Sequence, residues 1–275
     1  MKAFAIRDAS LDKNRDLAWL LYYESERTFY IEIAEDLEEW EAPLILSSFV
    51  KKNRLTVDAY WSSVWVEQRI VPRDRQNLGL ILKEYHLTEY DPFQLLLLAN
   101  GRCAQDDCYL VPLKKDALPE PLQRRLQLTL CDVFQIPDRT FFFFRDGMIR
   151  SADNRDLLAL AADSSDAIPF YIRQRRRLTY YQKEITRLKL CAGGHAVSAD
   201  DRYELSCEEL RHTGTPAGTD TSALRAYMQY ALVDTHTAAE LLHCTRQNIQ
   251  DLVRRGKLQP LITLRNNFLF LRYDL

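Results

Sequence analysis

The chain lacks a long apolar segment. Its apolar runs, such as residues 95–99, are far shorter than the roughly 20 residues that a membrane-spanning helix requires. The opening MKAFAIRDAS turns polar at once and does not have the charged and then apolar pattern of a secretory leader. We therefore expect a cytoplasmic protein with no membrane partner.

Signatures of metal binding and catalysis are lacking as well. The six cysteines include no C-x-x-C pair, and the five histidines have no spacing typical of metal ligands. Motifs of serine hydrolases, P-loop enzymes, zinc peptidases and dinucleotide-binding domains do not occur. The carboxylates of Asp106 and Asp107 are adjacent, so they diverge in direction and do not form an acid/base pair. We expect no enzyme activity, no metal and no cofactor, and the scattered cysteines fit a reducing compartment.

A basic excess is also absent. The chain has 37 basic and 39 acidic residues and a net charge of −2, which excludes a uniformly basic coat for nucleic acid. The charge is uneven, because residues 1–138 have 23 acidic and 17 basic side chains, whereas the remainder has 16 acidic and 20 basic ones. Any contact with nucleic acid is therefore expected in the later part of the chain.

At 275 residues the chain can form two or three domains, and we expect an α+β protein. Residues 1–138 predict a mixed α/β-hairpin domain. Two apolar, aromatic-rich runs, 17–23 and 29–33, flank a polar turn and predict a hairpin. Helices are predicted at 57–70, 73–85 and 91–98. Trp61 and Trp65 lie on one face of the first helix and are expected to be core residues.

Arginines and carboxylates cluster in this first region, which resembles uncharacterised proteins of low-GC anaerobic bacteria. Arg69, Arg73 and Arg75 surround a predicted helix start, and Asp106 and Asp107 lie in a polar loop. Either the arginines pair with the carboxylates in a structural network, or they bind an anionic ligand at the helix N-terminus. The structural network is the favoured interpretation.

Residues 139–213 predict a second, small α+β domain. The four phenylalanines of 141–144 predict a strand buried on both faces, and Asp146-Gly147 predicts a tight turn to a partner strand. Further elements follow from local signals: a helix at 154–162, a hairpin at 186–198 and a helical turn at 207–211. This order resembles a small bacterial domain family of unknown function, which implies a fold and no mechanism.

An arginine-rich run, residues 173–177, lies within this domain beside Tyr171, Tyr180 and Tyr181. Arginine beside aromatic rings is suited to neutralising phosphates and stacking on bases. A solvated loop is the commoner structure for a charge run and is the favoured interpretation, so a contact with nucleic acid stays open.

The last predicted domain, residues 223–275, follows a segment rich in glycine, proline and threonine, 212–222, which predicts a linker. Thr237-Ala238-Ala239-Glu240 fits a capping box at the start of a short helix. A turn is predicted at 243–244, followed by a second helix at 246–255 that Thr245 caps and Gly256 ends. A hairpin around a polar tip at 265–267 is predicted after it.

The second helix predicts a polar ridge. Ile249, Leu252 and Val253 recur on one apolar face, so polar side chains occupy the other. Long donors and amides of this kind read base edges in a major groove or hold phosphates. The candidate DNA-binding residues are Thr245, Arg246, Gln247, Asn248, Gln250, Arg254, Arg255, Lys257, Arg265 and Asn266, with Arg255, Lys257 and Arg265 expected to contact phosphates.

Helix, tight turn, helix and hairpin are the outline of a winged helix-turn-helix. The segment resembles the excisionase-type, MerR-related DNA-binding domain family. The matching residues are Thr235, Ala238-Ala239-Glu240-Leu241-Leu242, Arg246-Gln247, Leu252, Arg254-Arg255-Gly256-Lys257-Leu258 and Asp274-Leu275. The resemblance implies double-stranded DNA as the partner, and readers of this type commonly act as homodimers. His243 stands where the family has a turn glycine, and Gln250-Asp251 replaces an aromatic and basic pair.

Two functions stay open at this point. The chain is expected to be a sequence-specific DNA-binding protein, either a transcriptional regulator or an accessory factor of a mobile element. The alternative is an antitoxin-like protein-interaction module whose helix-turn-helix does not contact DNA. The carboxylate of Asp251 and the small basic surplus favour this alternative, because both weaken attraction to phosphates.

Overall fold

A computed structural model describes residues 1–11, 15–136, 139–157, 188–198, 204–217, 221–265 and 267–275. In these residues short helices accompany several antiparallel sheets, so the expected α+β class is confirmed. The arginine-rich run 173–177, the end of the helix predicted at 154–162 and the first residues of the hairpin predicted at 186–198 lie outside them. No helix in the described part of the chain is long and apolar enough to cross a membrane.

The first sheet is built from apolar strands joined by hairpins and loops. Its strands are β1 (Lys2–Asp8), β2 (Ala18–Tyr23), β3 (Thr28–Ile33), β4 (Thr56–Val57) and β5 (Cys108–Leu113), in the order β4-β3-β2-β1-β5. Leu20 of β2 lies opposite Phe4 on one side and Ile31 on the other. The hairpin predicted from 17–23 and 29–33 is confirmed as β2 and β3, because two apolar strands with a short polar link pair locally.

Five short helices belong to the same part of the described chain. They are α1 (Leu44–Val50), α2 (Ala59–Glu67), α3 (Leu78–Glu84), α4 (Pro92–Ala99) and α5 (Glu120–Gln127). Asp91 begins α4 by accepting a hydrogen bond from the backbone N–H of Phe93 at 2.8 Å. Trp61 and Trp65 of α2 are buried, so their prediction as core residues is confirmed. The helix predicted at 57–70 is shorter at its start, because Val57 pairs with β3 instead.

The arginine cluster of this region is a structural network. Arg69 is buried and forms an ion pair with Asp106, and its guanidinium lies 3.5 Å from the ring centroid of Trp65. The guanidinium of Arg73 lies over the ring of Tyr90. A cation that is held by a carboxylate and by an aromatic face is stabilised without an external anion. The favoured interpretation of this cluster is therefore confirmed for Arg69.

The middle of the chain forms two further sheets. The elements are β6 (Leu130–Gln135), β7 (Arg139–Phe144), β8 (Ile149–Asp153), β9 (Leu188–Leu190), β10 (Ala196–Ser198), β11 (Glu204–Leu205), α6 (Cys207–His212) and β12 (Thr215–Pro216), with strand orders β12-β8-β7-β6 and β11-β10-β9. Strand β7 is buried on both faces, as predicted. Phe142 and Phe144 pack in one apolar cluster, whereas Phe141 and Phe143 pack in another on the opposite face.

Two strands of the β7 sheet lie outside the predicted middle domain. Strand β6 precedes residue 139 and pairs with β7 along its length, so the predicted boundary falls between two paired strands. Strand β12 lies in the predicted linker and pairs with β8, and Arg150 donates hydrogen bonds to the carbonyls of Thr213 and Gly214 at 3.2 and 2.9 Å. The segment 213–217 is therefore not a free linker. Its composition indicates turns, but a pairing with a distant strand leaves no local signal.

Residues 188–198 and 204–212 pack against the first sheet and α2. The Tyr30 hydroxyl lies 3.1 Å from the Cys191 thiol, and the Glu204 carboxylate accepts a hydrogen bond from the backbone N–H of Ala59 at 3.2 Å. His195 is buried beside them, and its Nδ1 accepts the backbone N–H of Cys207 at 3.0 Å. Burial lowers the pKa of His195 to about 4, because a desolvated imidazolium is unfavourable.

The C-terminal part begins with a helix that packs on the second face of β7. Its elements are α7 (Thr221–Ala231), β13 (Leu232–Asp234), α8 (Thr235–Leu241), α9 (Arg246–Arg254), β14 (Ile262–Thr263) and β15 (Phe268–Leu271). Tyr227 of α7 stacks on Phe143 with 3.7 Å between ring centroids, and its hydroxyl donates to the Asp132 carboxylate. The three strands pair in the order β13-β15-β14. We call residues 232–275 the C-terminal head.

Acidification should destabilise the protein through His195. The unfolded chain takes up this proton near pH 6.5, whereas the native imidazole does so near pH 4. Stability linked to this group is therefore present above that window and is lost as the pH falls through it. In His195→Gln the titration is removed, so its free energy of unfolding should rise relative to wild type by about 2 kcal/mol between pH 6.5 and 4.5. Urea unfolding at several pH values measures the difference.

The pH dependence of wild type alone does not report on His195, because Glu32 changes stability with pH in the opposite sense. The difference between wild type and His195→Gln isolates the contribution of His195. Burial raises the pKa of Glu32 to about 7, so protonating this carboxyl stabilises the native state as the pH falls, but wild type and variant share it. His86→Gln, at an exposed histidine, is the matched control and should show no pH-dependent difference of this size. A constant difference between His195→Gln and wild type would contradict a buried, neutral His195.

Gly214 should be essential for attaching β12. Its φ is +67°, and a Cβ there would overlap the backbone carbonyl of Ser151. Gly214→Ala should therefore lower the free energy of unfolding by roughly 1–3 kcal/mol, since both the left-handed conformation and the close approach are lost. Gly79→Ala is the control, because a Cβ there meets open space within α3 and should be neutral or stabilising. Equal free energies of unfolding of the two variants in urea would contradict a close contact between Gly214 and β8.

Candidate nucleic-acid interface

The first helix of the head begins at an acidic cap. Asp234 accepts a hydrogen bond from the backbone N–H of Thr237 at 2.8 Å, and this bond is the main reason that the pKa of Asp234 is lowered. The capping box predicted at Thr237–Glu240 is wrong, because Thr237 lies inside α8 and is the donor. A carboxylate three residues earlier already satisfies this amide. The helix therefore starts three residues earlier than the capping box predicted.

The turn and the second helix follow the predicted signals. His243 adopts a left-handed backbone conformation with φ of +50°, the position where the resembling family has glycine. Thr245 then caps α9 by accepting the backbone N–H of Asn248 at 3.2 Å, as predicted. Gly256 follows α9 with φ of +67°, which confirms the predicted stop. Turn, cap and stop together fix the length and direction of α9.

A small apolar core holds α9 against the rest of the head. Ile249 is fully buried with Ala238 and Ala239 of α8 and with Phe270 of β15. Leu252 and Val253 are partly buried and pack on the same cluster. A helix of this length needs such tertiary packing, because it is marginal alone in water. The apolar face predicted from the sequence is thus the face that packs.

The hairpin is attached to the start of α8 by polar contacts that sequence reasoning missed. The Thr235 hydroxyl accepts the backbone N–H of Phe268 at 2.9 Å, and the Asn267 side chain accepts the backbone N–H of Thr235 at 3.2 Å. Thr235 is buried despite its hydroxyl. A buried hydroxyl needs a hydrogen-bond partner, but the sequence alone does not show that Thr235 is buried.

The candidate DNA-binding residues are exposed in the head. These are Thr245, Arg246, Gln247, Asn248, Gln250, Arg254, Arg255, Lys257 and Arg265, whereas Asn266 lies outside the described residues. We call the exposed α9 side chains Arg246, Gln247, Asn248, Gln250 and Arg254 the polar ridge. At about 100° per residue, Gln247 and Arg254 project almost opposite Ile249, so these two ridge residues point away from the head's core, whereas Arg246 lies towards the side of Val253. Lys257 follows α9 along the chain, and Arg265 lies between strands β14 and β15.

Most cations of this surface are unpaired. Arg254 Nη1 lies 3.2 Å from Asp251 Oδ1 on the same helix, so this arginine is partly neutralised. Within the described part of the chain, Arg246, Arg255 and Lys257 have no ion-pair partner. Exposed cations without a carboxylate are available for phosphates, because pairing costs no existing interaction. Arg246 is the one of these that lies on the polar ridge itself.

The hairpin also exposes aliphatic side chains. Leu261, Ile262 and Leu264 are 52%, 45% and 48% exposed, and β14 is an edge strand. Edge strands with apolar side chains favour contact with another protein chain. The sequence pattern suggested only a hairpin here, because alternation cannot show which face lacks a neighbour.

Comparison of the chain with protein-family models, curated proteins and solved structures found no match. The candidate interface is therefore assessed on its own geometry and chemistry.

Replacing His243 by glycine should stabilise the head. An L side chain in the left-handed region costs about 1 kcal/mol, which glycine avoids, although glycine loses more chain entropy on folding. We expect the free energy of unfolding of His243→Gly to exceed that of His243→Ala by about 0.5–1 kcal/mol in urea unfolding. The alanine variant is the control, because it removes the imidazole and keeps the Cβ. A more stable alanine variant would contradict the left-handed turn.

Proposed function

We propose that the C-terminal head is a winged helix-turn-helix and that the protein is a sequence-specific DNA-binding protein, either a transcriptional regulator or a mobile-element accessory factor. The observation that carries this proposal is the exposure of every side chain of the polar ridge on a helix whose apolar side chains pack in the head's core. A helix of this kind fits the major groove, which is about 12 Å wide. Arginine and carboxamide side chains at its start are suited to the edges of bases.

Each part of the head has a role in this proposal. Gln247, Asn248 and Gln250 carry carboxamides, which form paired hydrogen bonds with adenine, and Arg246 is suited to guanine or to a phosphate. Thr245 keeps its hydroxyl at the helix start, where it caps α9. Arg255, Lys257 and Arg265 are proposed to contact the phosphate backbone beside the groove, and Asn266 is kept as a candidate DNA contact at the hairpin tip. The phosphate contacts position the head, and the α9 contacts select the sequence.

A homodimer is the proposed binding unit. One head presents a short polar ridge and few free cations, so a single head offers limited affinity. Two heads related by a two-fold axis would contact half-sites about 34 Å apart, one turn of the duplex. The net charge of −2 is compatible with this arrangement, because the excess of acidic residues lies in residues 1–138.

A protein-interaction module is the second candidate function. The exposed Leu261, Ile262 and Leu264 favour it, because aliphatic side chains at an edge strand are not needed for phosphate contacts. In this case the head would bind another protein, as an antitoxin-like partner does, and α9 would remain solvated. A stoichiometric protein complex formed by a chain that binds no duplex would support this function over DNA binding.

Arg246→Ala should weaken specific DNA binding by about 1–3 kcal/mol, because it removes the one unpaired cation of the polar ridge. The measurement is fluorescence anisotropy with full-length protein and a duplex selected from a genomic fragment library, at several salt concentrations. Arg124→Ala, at an exposed arginine of α5, is the matched control and should bind as wild type does. Wild-type protein that shows no salt-sensitive binding to any selected duplex would rule out the DNA-binding proposal.

A further inference from the structure

Asp251 occupies the surface that faces away from the core of the head. It lies one helical turn after Gln247 and one turn before Arg254, and its side chain is 40% exposed. Its backbone carbonyl accepts the N–H of Arg255 at 3.0 Å within α9, whereas its carboxylate is held by the Arg254 guanidinium at 3.2 Å. The carboxylate therefore stands among the donors of the polar ridge.

The fold does not require this carboxylate. Among the described residues, the side-chain partner of the Asp251 carboxylate is Arg254, whose own side chain is exposed. Exposed ion pairs contribute little to stability, because water solvates both charges well. A negative charge on a surface that meets phosphates also opposes non-specific binding. A role in selecting a DNA sequence would account for a carboxylate that adds little stability and repels phosphates.

We propose that Asp251 is a specificity-determining residue that accepts a hydrogen bond from the N4 amino group of a cytosine in the major groove. This inference rests on the proposed function. A carboxylate only accepts hydrogen bonds, so it is repelled by the O6 and N7 of guanine and by the O4 of thymine. Adenine offers one donor next to the N7 acceptor, whereas cytosine offers its amino group alone.

Arg254 completes this recognition. Its guanidinium holds the Asp251 carboxylate with one N–H and retains further donors. Arginine donates in pairs to the O6 and N7 of guanine, the base that pairs with cytosine. Asp251 and Arg254 thus present an acceptor beside donors, which complements the donor of cytosine and the acceptors of guanine. The pair Asp251–Arg254 fits one C·G base pair and fits a T·A pair poorly, because thymine replaces the amino donor with an acceptor.

The test uses full-length protein and the duplex that it selects from a random library. Each base pair of that duplex is changed in turn, and the affinity of each changed duplex is measured by competition anisotropy. At one C·G pair, cytosine to thymine replacement should weaken wild-type binding by about five- to 150-fold. Asp251→Asn should reduce that preference to less than about threefold or shift it towards adenine, which an amide recognises, and should leave the other positions unchanged.

The outcomes separate this inference from the proposed function. Glu120→Gln, which alters an exposed carboxylate paired with an arginine of α5, is the matched control and should keep the wild-type preference at every position. If Asp251→Asn raises affinity for all duplexes by one common factor, Asp251 only repels phosphates and the inference is overturned while DNA binding stands. If no wild-type preference for a C·G pair depends on residue 251, the inference is likewise overturned. Wild-type protein that binds no duplex overturns both.

Discussion

The structure depends on strand β7, whose apolar side chains must be shielded from water on both faces of the sheet. Strand β7 carries four consecutive phenylalanines, and successive side chains of a strand point to opposite sides. Each buried phenylalanine contributes about 1.5–3 kcal/mol, so both faces must be covered. Leu205 and Leu210 belong to the cluster on one face, and Tyr227 and Ala231 belong to the cluster on the other. The second cover is α7, which leads directly into the head.

This arrangement decides which side of the head is free. Tyr227 anchors α7 on β7, and Arg272 near the chain end donates to the Tyr230 carbonyl at 3.1 Å and lies over the Tyr230 ring. The Tyr273 side chain forms a hydrogen bond with the Cys131 side chain of β6. The residues near the end of the head therefore contact α7 and the middle sheet, whereas the side chains of the polar ridge are exposed. Substitutions on the ridge can change binding without disturbing the packing that holds the head in place.

Local signals predicted the local parts of this structure. The hairpin of β2 and β3, the two-sided burial of β7 and the Thr245 cap of α9 each depend on residues close in sequence. The pairing of β12 with β8 was not predictable in this way, because it joins segments about sixty residues apart and uses two residues of β12. The Asp234 cap was missed for a different reason. Two polar residues near one helix start are both good caps, and only the backbone conformation at Asp234 distinguishes them.

The electrostatics of the head bear on how it would hold DNA. Four exposed basic residues, Arg246, Arg255, Lys257 and Arg265, could each displace a counterion, and each contact contributes about −0.9 to the slope of log affinity against log salt concentration. One head would then give a slope of about −4, which is a weaker salt dependence than that of proteins that make many phosphate contacts. The acidic excess of residues 1–138 is screened beyond about 8 Å at physiological salt, so it does not cancel these contacts at a distance. In the proposed complex, an interface with so few cations would obtain most of its affinity from base contacts and from the pairing of two heads. The carboxylate of Asp251 would make base contacts still more important, because it lowers the attraction to every phosphate and forms a favourable contact only with a hydrogen-bond donor.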